Sequence, residues 1–183
     1  MGDRTKPLYT VAIGGHSQTP DITLPNTDIS LCRLSGGKLV DFWSHATFQR
    51  MRCEPHDLSI LFLGGNDIYD GCYPSEIVSD ILKIGDHLKL LNKAVVITLI
   101  EPRHYAPGNR FGVSSETYER VSRSVNRKLL KLLKKRNIGV INLGARPFKL
   151  GHKSDGVHFN ALTAIHVRSK FRNCVEHHMA TNN

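Results

Sequence analysis

The stretch Leu61-Phe62-Leu63-Gly64-Gly65-Asn66-Asp67-Ile68 runs from apolar residues straight into two glycines and then a side-chain amide. Such a run predicts a buried strand that ends in a sharp turn and delivers a polar group to a cleft. The segments on either side repeat the pattern. Leu8 to Ile13 is short, apolar and partly β-branched, and it breaks at Gly14-Gly15, with His16-Ser17 just beyond. Ile29 to Leu34 forms a second strand candidate closed by Ser35-Gly36-Gly37, and Asp57 to Leu63 the third. Ala94 to Ile100 is continuously apolar, as a strand covered on both faces would be. Ile138 to Leu143 is the fifth.

The intervening segments have a different period. Gln18 to Asp28 contains Pro20 and Pro25, so an extended crossover is expected there in place of a helix. Val40 to Met51 predicts a helix, with Val40, Phe42-Trp43, Ala46-Thr47 and Met51 near helical spacing. After Pro74-Ser75-Glu76 the apolar positions Ile77, Ile81, Ile84, Leu88 and Leu91 step by four and three, which marks the clearest helix in the chain. Glu116 to Lys135 gives another, with Tyr118, Val121, Val125, Leu129 and Leu132 on one face. A last helix begins near Asn160 and runs past Val167 and Phe171. Strands alternating with helices imply a three-layer α/β domain built on a five-stranded parallel sheet. At 183 residues the chain fits one domain, 1–183, with room for a proper core.

The formal charge of +9 and a sequence pI near 9.6 favour an anionic partner, such as nucleic acid or an anionic membrane surface. The outer face of the second long helix concentrates that charge in Arg120, Arg123, Arg127, Lys131, Lys134 and Lys135. The four cysteines, Cys32, Cys53, Cys72 and Cys174, form no C-x-x-C pair and suit reduced thiols in a cytoplasmic protein. No metal site and no cofactor are expected: Cys174, His177 and His178 belong to a polar C-terminal segment. No apolar run approaches the ~20 residues that span a bilayer, and the first residues lack the apolar core of a signal peptide.

Parallel sheets of this class place ligands at the C-terminal ends of their strands. The polar residues at those ends are Ser17, Gly37, Asn66, Arg103 and the pair Asp155 and His158. Asp155-Gly156-Val157-His158 spaces a carboxylate and an imidazole so that one turn lets the aspartate hold the ring's tautomer. His158 then turns its free nitrogen to Ser17, which is the nucleophile, base and orienter logic of acyl transfer. The charge developing on a substrate carbonyl needs donors, available from the Ser17 and Gly37 backbone N–H groups and the Asn66 amide. Asp67 is read as turn support. Arg103 and His104 are candidates for contacting an acidic group of a substrate, the other reading of Arg103 being a pair with Glu101.

Gly15-His16-Ser17, Gly37, Gly64-Gly65-Asn66-Asp67 and Asp155-Gly156-Val157-His158 resemble, in order, the four blocks of the SGNH (GDSL-type) hydrolase family. The resemblance implies a flavodoxin-like fold and a serine esterase, lipase or acetylhydrolase, with Ser17 as nucleophile, His158 as base and Asp155 as orienter. It also implies an oxyanion hole from Ser17, Gly37 and Asn66. His16 stands where an aspartate is usual, and the short connection after Ser17 leaves Gly36 as a substitute for Gly37. The middle of the chain is also similar to esterase-like domains of non-LTR retrotransposons. That likeness implies the alternative of a catalytically weak binding or assembly domain that uses its basic face in a nucleoprotein particle. Gly15-His16-Ser17-Gln18-Thr19 lacks the second glycine of a G-x-S-x-G elbow, which fits an ordinary α/β-hydrolase poorly.

Overall fold

A computed structural model describes residues 8–104, 112–144 and 151–181. Five strands, β1 (Tyr9–Gly15), β2 (Thr27–Arg33), β3 (Leu58–Phe62), β4 (Ala94–Thr98) and β5 (Gly139–Ile141), form one sheet in the order β2-β1-β3-β4-β5. Every pairing is parallel, as expected from the alternating pattern. The register sets Gly15 opposite both Arg33 and Phe62, so β1, β2 and β3 end at one rim. The strand order turns back at β1, which makes the loop after β1 the point where such sheets open a crevice.

Alternation along each strand sorts the core into two layers. Leu58, Ile60 and Phe62 of β3 point with Val11, Ile13 and Val96 to one face, where Val167, Phe171 and Val175 of helix α5 (Ala161–Thr181) cover them. The opposite face takes Ala12, Leu61, Val95 and Ile97 against Ile77, Ile81, Ile84 and Leu88 of α3 (Pro74–Leu91) and Tyr118, Val125, Leu129 and Leu133 of α4 (Ser115–Lys135). Each aliphatic side chain moved fully out of water contributes about 1.5–3 kcal/mol, which is why the sheet's central strands are mostly apolar on both faces, with Ser59 and Thr98 the small buried polar residues among them. Local signals fix the helix starts. Glu76 Oε2 accepts from the Tyr73 N–H at 2.8 Å ahead of Pro74, Ser114 Oγ accepts from Thr117 N at 3.1 Å, and Asn160 Oδ1 accepts from Thr163 N at 2.9 Å.

One expected helix is broken. Val40–Met51 divides into α1 (Asp41–Ser44), a 3-10 turn (Ala46–Phe48) and α2 (Gln49–Cys53). His45 between them is extended, with ψ 136°, and its Nδ1 accepts from the Thr47 N–H at 3.2 Å, so the side chain starts a new turn. The break lets Phe42, Phe48 and Met51 all reach full burial, and tertiary packing outweighs helical periodicity in a segment of weak helix formers. The crossover from β1 to β2 contains turns and irregular chain and no helix, in keeping with its prolines. Among the described residues no helix is long and apolar enough to cross a membrane.

Candidate active site

Ser17 follows β1 directly. The loop is anchored on both sides of the strand: His16 N–H donates to the Phe62 carbonyl at 3.2 Å and Leu34 N–H to the Gly15 carbonyl at 3.0 Å. Thr19 N–H then donates to the His16 carbonyl at 3.0 Å, folding the chain tightly around Ser17. Neither the Ser17 hydroxyl nor its N–H has a hydrogen-bond partner among the described residues.

Across from it lies the loop that precedes α5. Asp155 Oδ2 is 2.6 Å from His158 Nδ1, and Oδ1 accepts from the Val157 and His158 N–H groups at 2.9 Å each. A ring held this way carries its proton on Nδ1 and presents Nε2 as a lone pair. Desolvation works to raise the Asp155 pKa, but the bond to His158 and the two N–H donors hold the carboxyl well below the usual carboxylate range. The Gln18 side chain ties the two loops together, since its Oε1 accepts from the Phe159 N–H at 2.7 Å. Ser17 and His158 thereby line one cavity of about 240 Å³. No direct hydrogen bond joins them among the described residues.

Asn66 sits beyond β3 in a tight chain reversal. Gly64 has φ +110°, and a Cβ on Gly65 would lie 2.5 Å from Arg103 Nη2, so both glycines are needed where they stand. The Asn66 Nδ2 donates to the Gly37 carbonyl at 2.9 Å, leaving its second N–H without a partner among the described residues. Asp67 completes the clasp on the same loop by accepting from the Leu39 N–H at 3.2 Å. The Gly37 N–H is itself engaged, donating to the Leu34 carbonyl at 3.0 Å in a turn whose Gly36 has φ +70°. The Gly36 N–H has no such partner among the described residues. None of Asn66, Gly36 and Gly37 lines the cavity that Ser17 and His158 share.

Of the two readings of Arg103, the structure shows the pair with Glu101. It is 2% exposed and turned inward. Its Nε and Nη2 grip Glu101 Oε1 at 2.7 and 2.5 Å, its Nη1 donates to Asn66 Oδ1 at 3.1 Å and to the Tyr69 hydroxyl, and its guanidinium lies over the Tyr69 and Tyr118 rings. Burial alone would push Glu101 up, but the Arg103 charge, with His16 behind it, holds it down at about 2. His16 is buried too. Its Nδ1 accepts from the Gln18 N–H at 3.3 Å, which turns Nε2 toward Glu101 Oε1 at 3.5 Å, and its ring packs on Phe62. A buried chain of polar side chains thus runs from the Ser17 loop through His16, Glu101 and Arg103 to Asn66, with the Glu101–Arg103 ion pair at its centre. His104 makes no contact with the cavity either. Its N–H donates to the Gly156 carbonyl at 2.8 Å, bracing the Asp155–His158 loop, and its ring meets His152. No spacing in the sequence announced the roles of Gln18, Tyr69 and Tyr118; the buried pair of Glu101 and Arg103 was the one local signal.

Asp67 supplies a pH test of this clasp. Burial raises its pKa to about 6, against a partial offset from the Leu39 N–H. A carboxyl whose folded pKa exceeds its unfolded value stabilises the fold below the unfolded value, and that contribution is lost as pH rises through about 6. Asp67→Asn is neutral throughout, so urea midpoints taken at pH 4 and 7.5 are expected to show the variant gaining about 2–3 kcal/mol on the parent protein across that interval. An unchanged difference would mean that Asp67 ionises in place at no cost.

No protein-family model matches the chain, and no curated protein matches it in sequence. Solved structures match it in fold. A GDSL-like lipase from Bacteroides thetaiotaomicron superposes with a TM-score of 0.69 at 17% identity, over 92% of this chain and 88% of the other. The native aryl esterase of M. smegmatis gives 0.68 at 16% identity over 92% and 98%, and a carbohydrate acetylesterase from Sinorhizobium meliloti 0.66 at 18% over 92% and 98%. At these identities the likeness is one of architecture, and the architecture is the five-stranded, three-layer SGNH hydrolase fold.

Proposed function

We propose that the chain is a serine esterase that hydrolyses a small ester or an acyl or acetyl group. The observation that carries this reading is the Asp155–His158 bond, 2.6 Å long, on a ring that lines the same cavity as an unengaged serine hydroxyl at the sheet's crevice. Ser17 Oγ attacks the ester carbonyl carbon while His158 Nε2 takes its proton, with Asp155 stabilising the imidazolium. The carbonyl's electron pair moves to oxygen, where the Ser17 N–H, the Gly36 N–H and the free N–H of Asn66 receive it. His158 returns the proton to the departing alkoxide. Water then attacks the acyl-serine through the same base, releasing the acid and restoring Ser17. Gly36 takes the place first given to Gly37 because the Gly37 N–H is committed to its turn. Arg103 acts behind this machinery: by holding Asn66 Oδ1 it leaves the amide's donor end for the oxyanion.

That solved lipases and esterases share the fold supports the reaction class. The test is turnover of p-nitrophenyl acetate by purified, folded protein in the presence of a chelator. Saturable hydrolysis well above the buffer rate is expected; an inert folded protein would overturn the reading.

A second reading is favoured by one feature, the outer face of α4. Arg120, Arg123, Arg127, Lys131, Lys134 and Lys135 are all exposed along it. A stripe this one-sided suits phosphates, as in a binding or assembly domain that holds nucleic acid or an anionic membrane surface. Retention on RNA is then expected to fall steeply with salt and to disappear when Arg123, Arg127 and Lys131 are changed to glutamine. Retention unaltered by those changes would remove this face from consideration.

A further inference from the structure

We propose that the substrate carries an anionic group, recognised by Arg33, Lys153 and Arg168 beside the nucleophile. The inference rests on the esterase reading of Ser17 and names the substrate class that reading leaves open. Three independent parts of the chain bring the charges together: Arg33 from the end of β2, Lys153 from the loop before Asp155, and Arg168 from the second turn of α5. All three line the cavity that contains Ser17 and His158, and the wall holds a single carboxylate, Asp21, against them. Arg33 is held in place by its own bond, Nη1 donating to the Thr19 carbonyl at 3.2 Å, so one guanidinium is fixed over the loop that carries the nucleophile. A cavity of about 240 Å³ is small even for small-molecule sites, which start at about 300 Å³. Any part of an ester bound at Ser17 that extends into this cavity lies among these side chains. Exposed cations beside a reacting centre also concentrate anions, an effect that fades as salt shortens the screening length to about 8 Å at physiological ionic strength. The anion is a carboxylate or phosphate on either the acyl or the alcohol side of the ester. The basic α4 face plays no part in this, since none of its residues lines the cavity.

The experiment compares matched esters. On the acyl side, p-nitrophenyl hemisuccinate is set against p-nitrophenyl butyrate; on the alcohol side, 4-acetoxybenzoate against its methyl ester. In low salt, kcat/KM for at least one anionic member is expected to exceed its neutral match by about tenfold or more. The preference should shrink in 0.5 M NaCl and should fall at least tenfold in Arg168→Glu, while Lys128→Glu, on the exposed surface of α4, leaves it intact. The pair that shows the effect tells which side of the ester bears the charge. Binding is measured in parallel by titrating Ser17→Ala with p-nitrophenyl hemisuccinate, with and without Arg168→Glu. Turnover with no preference for anions overturns the proposal and leaves the esterase standing. If turnover is absent yet the hemisuccinate binds in an Arg168-dependent way, the anion site stands and the esterase reading falls. Loss of both turnover and charge-dependent binding removes the two together.

Discussion

Ser17→Ala is expected to lower kcat for p-nitrophenyl acetate by about 10⁴-fold or more, which corresponds to at least ~5 kcal/mol of lost transition-state stabilisation. The size follows from what remains. Without the hydroxyl no acyl intermediate forms, and only the oxyanion donors and the oriented imidazole assist direct attack by water. Stability is expected to change little, because the hydroxyl has no hydrogen-bond partner among the described residues whose loss would have to be made good. The two measurements together separate chemistry from folding. A thermal midpoint within about 2 °C of the parent protein, alongside that loss of kcat, fits a nucleophile; equal activity in the two proteins would assign the hydrolysis to some other group.

Asn66→Ala is expected to lower kcat by about 100- to 1,000-fold with a much smaller effect on KM, since its free N–H meets an oxygen whose charge appears only in the transition state. The role given to Arg103 makes this prediction sharper. Arg103→Lys keeps the charge beside Glu101 but loses the planar fork that reaches Glu101 and Asn66 at once. Alone it is expected to cost about tenfold in kcat. In an Asn66→Ala background it should cost little more, because a residue that acts through Asn66 has nothing left to act on. Additive losses would show that the buried chain of polar side chains supports the fold without orienting the amide.

How far the sequence reaches depends on the range of the interaction involved. Strand periodicity, two glycines after each of several apolar runs and the four-and-three spacing of Ile77 to Leu88 are local, and the sheet built from them appears with its ends within a few residues. Parallel topology then does the rest of the placement. It carries Ser17 and the Asp155–His158 loop to one rim although Asp155 lies 138 positions after Ser17. The Val40–Met51 segment failed as one helix because its periodicity is real but its packing is better satisfied by a break at His45. Arg103 is legible only in part: its pair with Glu101 is one of the two readings, and the rest of its surroundings is not legible. A charged side chain is almost never fully buried unless paired, and while Glu101 was visible two residues away, Asn66, Tyr69 and Tyr118 were not. The cationic wall was equally hidden, since nothing local to Arg33, Lys153 or Arg168 says that they share a cavity. Gly37 illustrates the limit at its finest grain: a turn spends one of two adjacent N–H groups, and only the fold says which.

The claim that Ser17 is an activated nucleophile is tested most directly by covalent capture. Incubating the folded protein with diethyl p-nitrophenyl phosphate and mapping the adduct by peptide mass spectrometry is expected to find one diethylphosphoryl group per chain, on Ser17, with the rate of labelling reduced at least a hundredfold in His158→Ala. Protein that stays unlabelled, or that carries the adduct elsewhere while Ser17 remains free, would contradict the account.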